Sequence, residues 1–145
     1  MKALNLVKLC VGAEAIDDLI ARIEHRVRVN EAAGIGRVHD HVTRMHPRRE
    51  SELLAGGSIY WVIKGVILAR QPIVGFNKQT GTDDIRRTAI MLDPGYVLTE
   101  AQPRRAFQGW RYLTAEDAPA DLKKGKGRKG PPPELGRKLA ELGLL

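Results

Sequence analysis

From Gly56 to Gln71 the chain reads GGSIYWVIKGVILARQ. Aromatic and β-branched residues crowd the run and a glycine pair opens it, which fits a pleated, two-sided strand. The composition predicts one long strand, Ser58 to Gln71, with Gly65 marking a bend or bulge. Alternation sets Ile59, Trp61, Ile63 and Ile67 on one face against Tyr60, Val62, Lys64, Val66, Leu68 and Arg70 on the other. Both faces are apolar in the middle, so both are expected to be covered. One ammonium, Lys64, stands inside this run. An unpaired buried ammonium costs several kcal/mol, so Lys64 needs a carboxylate, water or a ligand anion. Either the bend at Gly65 lets it reach solvent, or Glu50 or Glu52 pairs with it, or it lines a cleft that receives an anion.

The elements around this strand follow from periodicity. Ala3 to Val11 predicts a first strand. Ile16, Leu19, Ile20, Ile23 and Val27 share one helical face, with Asp17 and Asp18 at the start and Gly34 as a stop. RVHDHVTRM, Arg37 to Met45, alternates as a second strand. Pro47 suits the first turn of a short helix, PRRESELLA, which Gly56 and Gly57 end. Pro72 argues for an edge or turn, NKQTGTDD for a hairpin connection, and Arg86 to Asp93 for a fourth strand. The stretch from Pro94 to Leu122 is expected to be a long ordered loop with one short strand at Trp110 to Leu113. The order predicts an α+β fold: a curved, mostly antiparallel sheet or partly open barrel with flanking helices.

At 145 residues, with 43% hydrophobic and 28% charged, the chain fits one globular domain over residues 1–122. KKGKGRKGPPP, residues 123–133, reads as a basic Gly/Pro-rich linker, and residues 134–145 as a short amphipathic helix. Between Ala118 and Leu145 there are seven basic and three acidic residues, so more than half of the net charge of +7 is a tail property. No run approaches the roughly 20 apolar residues of a membrane helix. Lys8 breaks the N-terminal apolar stretch, and the single Cys10 suits a reducing compartment and a small core residue, so a cytoplasmic protein is expected.

Three basic clusters bear on function. TRMHPRR supplies Arg44, Arg48 and Arg49, the last two at a helix start, where they oppose the dipole and suit phosphate. PRRAFQGWRYL interleaves Arg104, Arg105 and Arg111 with Phe107, Trp110 and Tyr112, a pattern suited to backbone neutralisation and base stacking. Lys64 and Arg70 add to these, with Tyr60 or Trp110 as a stacking surface. Solvated charge and core aromatics are the plain alternative for each cluster. His39, His41 and His46 lack accompanying ligands at metal spacing, so no metal site is expected. GIGRV and GKGRKG lack the strand–helix context of a dinucleotide fingerprint, and no cofactor is expected.

TRMHPRRESELLAGGSIYWVIKGVILARQ, RRAFQGWRYL and ELGRKLAELGLL resemble a family of uncharacterised, mainly alphaproteobacterial proteins of about this length. The family implies no activity. More distantly, ELLAGGSIYWVIKG resembles the helix-to-strand entry of PUA-like folds, the ASCH and EVE modules, whose members commonly bind RNA or modified bases. The first expectation is therefore a non-enzymatic RNA- or nucleotide-binding domain whose basic cleft surrounds Lys64. The second is a small hydrolase of a nucleoside-like compound, with Lys64 as base or electrophile and Glu52 assisting. The third is an interaction module whose C-terminal helix engages a partner protein.

Overall fold

The computed structural model describes residues 3–122. The expected linker at 123–133 and the expected helix at 134–145 lie outside the described residues. In chain order the elements are β1 (Asn5–Leu9), α1 (Ile16–Ala32), β2 (His39–Thr43), α2 (Glu50–Leu54), β3 (Ser58–Ile63), β4 (Val66–Thr80), β5 (Arg86–Leu92), β6 (Val97–Pro103) and β7 (Trp110–Leu113).

These strands form one curved, unclosed sheet in the order β2-β5-β4-β3-β1-β7, with β6 also paired to β4. Among the described residues only β1 and β3 pair in parallel; the other strand pairings are antiparallel. The architecture is α+β with a partly open barrel, as the sequence predicts. The long β4 organises it. Its first half pairs with β3 and β6, its second half with β5, and register shifts at Ile67/Ala69 and Ile73/Gly75 bend it between those duties.

Three local predictions are corrected. The run from Ser58 to Gln71 is not one strand. It folds back at Lys64 and Gly65, whose φ angles of 50° and 80° make the two-residue turn that joins β3 to β4. Positive φ at both central positions matches the twist of a hairpin. Nor does Pro72 end the strand, because β4 passes through it opposite Ser58 and continues to Thr80. The stretch after Pro94, expected to be an ordered loop with one short strand, holds a second strand: β6 pairs with β4 from Val97 to Pro103.

α1 forms as its periodicity requires, burying Ile16, Leu19, Ile23 and Val27. Asp18 accepts the backbone N–H groups of Glu14 and Ala15 at 2.7 and 3.1 Å, closing the helix start. Asn30 donates to the Val38 carbonyl and to Asp40 Oδ1, tying the other end to β2. The turn from α2 into β3 demands glycine at position 57, where a Cβ would stand 2.2 Å from the Leu4 carbonyl oxygen and 2.6 Å from that of Leu53. The larger core lies on the inner face of the sheet, where Leu6, Ile59, Trp61, Ile63 and Leu92 meet Ile16, Leu19 and Ile23 of α1. A smaller one on the outer face joins Val7, Tyr60, Val62, Ile67 and Leu113, with Phe107 and Ala118 packed against it. Both faces of β3 are thus covered, as its composition predicts.

Candidate functional site

The turn answers why a lysine interrupts the apolar run. Lys64 stands at the tip of a hairpin, its side chain 52% exposed, with Nζ 2.6 Å from Glu14 Oε2. Neither Glu50 nor Glu52 is its partner. Glu52 sits on α2 at the opposite end of β3, a six-residue strand spanning roughly 20 Å. Its carboxylate takes two N–H groups of Arg49 at 2.6 and 2.7 Å. The expected Lys64–Glu52 pairing is therefore not formed.

The remaining candidates do not share one site. Arg48 is exposed beside α2, and Arg49 lies 5.4 Å over the Tyr112 ring. Arg44 lines a separate groove of about 400 Å³ with Lys78 and Arg86. Tyr60 and Trp110, expected to stack on bases, are 7% and 6% exposed and belong to the two cores. The indole of Trp110 donates to the Met45 carbonyl at 2.8 Å, fixing the chain before α2. Arg70 is engaged on the sheet by Asp121 and by Ser58 Oγ.

One cluster does assemble. Cross-strand register places Arg111, Val7, Tyr60 and Arg70 in one row across β7, β1, β3 and β4, on the outer face. Beside this row opens a groove of about 610 Å³ lined by Arg104, Arg105, Arg111, Phe107, Val7 and Asp117 among others. The guanidinium of Arg111 lies 5.5 Å over the Phe107 ring and donates to the Gln108 carbonyl at 3.0 Å. The Arg104 backbone N–H donates to the Gly65 carbonyl at 2.8 Å, so the loop after β6 docks on the turn that carries Lys64. Three arginines thus line one concave surface, while the Lys64 ammonium is directed to Glu14 and is not part of its lining.

A second polar cluster, on the inner face, was missed. Gln71 is fully buried and its Oε1 accepts the Trp61 indole N–H at 2.9 Å and His39 Nδ1–H at 3.1 Å, while its Nε2 donates to the Asp93 carbonyl. Because an amide oxygen only accepts, His39 carries its proton on Nδ1. Burial holds the His39 pKa below its usual value. His41 meets the Trp61 ring edge-on at 5.1 Å, and its Nε2 is buried without a hydrogen-bond partner among the described residues. Burial, with the charge of Lys8 next in weight, lowers its pKa to about 4. Lys8 lies opposite Trp61 in the β1–β3 ladder, and burial lowers its pKa as well. Arg22 of α1 reaches Cys10 Sγ at 3.5 Å. Arg26 grips Asp40 with N–H···O bonds of 2.9 and 3.1 Å. Between α1 and β2, Arg22, His25, Arg26, His39, Asp40 and His41 line a groove of about 530 Å³. The available signal is Lys8, an ammonium inside the apolar strand β1.

Among the described residues, no group of three His, Cys, Asp or Glu side chains is placed to hold a metal ion, and no helix is long and apolar enough to cross a membrane. Over residues 6–145 the chain matches the model of a protein family of unknown function, DUF1489, and it belongs to that family. Comparison with curated proteins and with solved structures returns no match.

Proposed function

We propose that the protein binds nucleic acid, single-stranded RNA in the first instance, through the outer groove and without catalysis of its own. The observation that carries this reading is the convergence of Arg104, Arg105 and Arg111 around Phe107 in a groove of about 610 Å³. Guanidinium groups fit phosphate bidentately, and an aromatic ring beneath one of them offers a surface for an unstacked base. The basic run from Lys123 to Lys129 follows the body directly in sequence and adds sequence-independent attraction. A single free cysteine, buried at position 10, suits the reducing cytoplasm in which such binding would occur.

The test is fluorescence anisotropy of the full chain with labelled single-stranded RNA, duplex RNA and DNA at two salt concentrations. Replacing Arg104, Arg105 and Arg111 together with glutamine is expected to weaken RNA binding about tenfold or more and to flatten its salt dependence. Binding that falls only when the basic residues from Lys123 to Lys129 become glutamine removes the groove from the account. Binding that falls instead with Arg44, Lys78 and Arg86 assigns it to the other basic groove.

A further inference from the structure

β4 reaches both basic grooves. At its start Val66 pairs with Pro103, which lines the outer groove beside Arg104 and Arg105. Near its end Lys78 lines the second groove, of about 400 Å³, with Arg44, His46 and Arg86. Strand register explains the grouping. Thr88 of β5 stands opposite Thr43 of β2 on one side and opposite Lys78 of β4 on the other. Arg86 lies two residues before Thr88 on the same face, a diagonal neighbour of Lys78. Arg44 follows Thr43, where β2 ends. The hairpin of β4 and β5 runs on past that point to the pair Thr80 and Arg86, and Arg44, Lys78 and Arg86 are all exposed.

The charge of this groove is one-sided. No Asp or Glu lines it, whereas Asp117 lines the outer groove and Asp40 the one beside α1. Arg44, Lys78 and Arg86 form no ion pair among the described residues. The carboxylates that touch its lining residues are committed. Glu50 accepts from His46 Nε2 at 2.6 Å, and Asp83 takes two N–H groups of Arg87 at 3.1 and 2.9 Å. Three unpaired cations on one concave surface concentrate anions there. No Phe, Tyr or Trp lines the groove, so the apolar contacts of an ordinary metabolite pocket are missing. What it offers is charge and hydrogen-bond donors, which suit phosphate and do not read a base.

We infer that this groove is a second contact for the nucleic-acid strand held at the outer groove, made to its phosphates alone by Arg44, Lys78 and Arg86. The inference rests on the nucleic-acid reading proposed above. Val66 and Lys78 are twelve residues apart on β4, at most about 40 Å at the rise of a strand. A single strand of about 30 nucleotides is long enough to reach both ends, since its charges lie at least about 3.4 Å apart. The outer groove, with Phe107 in its lining, offers a ring to a base, and the hairpin groove fixes the path of the backbone. No covalent step is involved.

The full chain is titrated by fluorescence anisotropy with labelled oligo(U) and oligo(A) of about 30 nucleotides, across a series of salt concentrations. A hairpin variant carries Arg44→Gln, Lys78→Gln and Arg86→Gln; an outer variant carries Arg104→Gln, Arg105→Gln and Arg111→Gln. The hairpin variant is expected to bind about tenfold or more weakly, equally for both oligonucleotides. Its slope of log K against log salt is expected to be shallower by about 2, about 0.7 for each of three phosphate contacts. Circular dichroism confirms the fold, which the three exposed side chains do not support. A hairpin variant that binds like the parent overturns the inference, and the outer-groove reading still stands if the outer variant loses affinity. A loss that differs between oligo(U) and oligo(A) shows contact with bases and overturns it as well. A loss confined to the hairpin variant sustains this groove as a phosphate site and removes the outer groove from the account.

Discussion

Arg70 and Asp121 meet through two parallel N–H···O bonds, Nε to Oδ1 and Nη2 to Oδ2, each 2.8 Å long. The pair joins the middle of β4 to the last described stretch of chain, fifty-one residues later. It lies where Leu122 N–H also bonds the Leu98 carbonyl of β6. An arginine that looks available for phosphate in the sequence instead clasps the strap that closes the outer face.

Asp121→Ala strips a part-buried guanidinium of its counter-charge while Ser58 keeps one N–H engaged. The expected cost is about 1–3 kcal/mol, below that of a fully buried pair. Urea denaturation followed by tryptophan fluorescence checks it as a lower midpoint at unchanged slope. A midpoint equal to that of the parent protein would show that the strap is held by other contacts.

Gln71 is the hub of the inner network, and Gln71→Leu keeps its volume while removing both partners of Trp61 and His39. Each donor left unmade costs about 1–3 kcal/mol, so a loss of roughly 2–5 kcal/mol is expected in the same denaturation assay. Gln71→Glu is the informative comparison, because its carboxylate still accepts both bonds but loses the donation to the Asp93 carbonyl.

How far the sequence reveals this arrangement depends on whether the relevant contact is local. α1, β2, β5 and β7 are readable because periodicity, an acidic first turn and glycine stops lie within each segment. The Lys64–Gly65 turn is not, because lysine seldom takes positive φ and the pair lacks the asparagine or aspartate that usually announces such a hairpin. β6 escapes notice because its alternation is poor and its strand character comes from β4, about thirty residues away in sequence. The same reasoning separates the two clusters. Arg104, Arg105, Phe107 and Arg111 lie within eight residues and can be read together. Lys8, Arg22, His41, Trp61 and Gln71 are brought together only by the register of β1, β3 and β4, the pairing of β2 with β5 and the packing of α1.

If Lys64 serves the turn and not a cleft, asparagine should replace it without harm. Lys64→Asn surrenders an exposed ion pair with Glu14 worth at most about 1 kcal/mol. It gains a side chain better suited to positive φ. The expected melting temperature is equal to or above that of the parent. Gly65→Ala, at φ 80°, is expected to lower stability by about 1 kcal/mol or more. A cleft lysine would give the opposite ranking in a nucleic-acid titration, with Lys64→Asn the more damaging change.

The depressed pKa of His41 makes stability depend on pH in a defined window. The unfolded chain protonates this ring near 6.5, the folded protein only at about 4. Between those values the unfolded state holds a proton that the native state refuses, so acidification favours unfolding. Stability from this group is complete above about pH 6.5 and declines as pH falls toward 4, by up to about 3 kcal/mol. His39, whose pKa is also lowered by burial, acts in the same sense. Urea denaturation at about pH 7.5 and about pH 5 should therefore show a lower midpoint in acid. His41→Phe keeps a ring edge against Trp61 and removes the titration, so its midpoint should change less between the two pH values. An equal change in both proteins would assign the acid sensitivity to other groups and leave His41 solvated in the folded state.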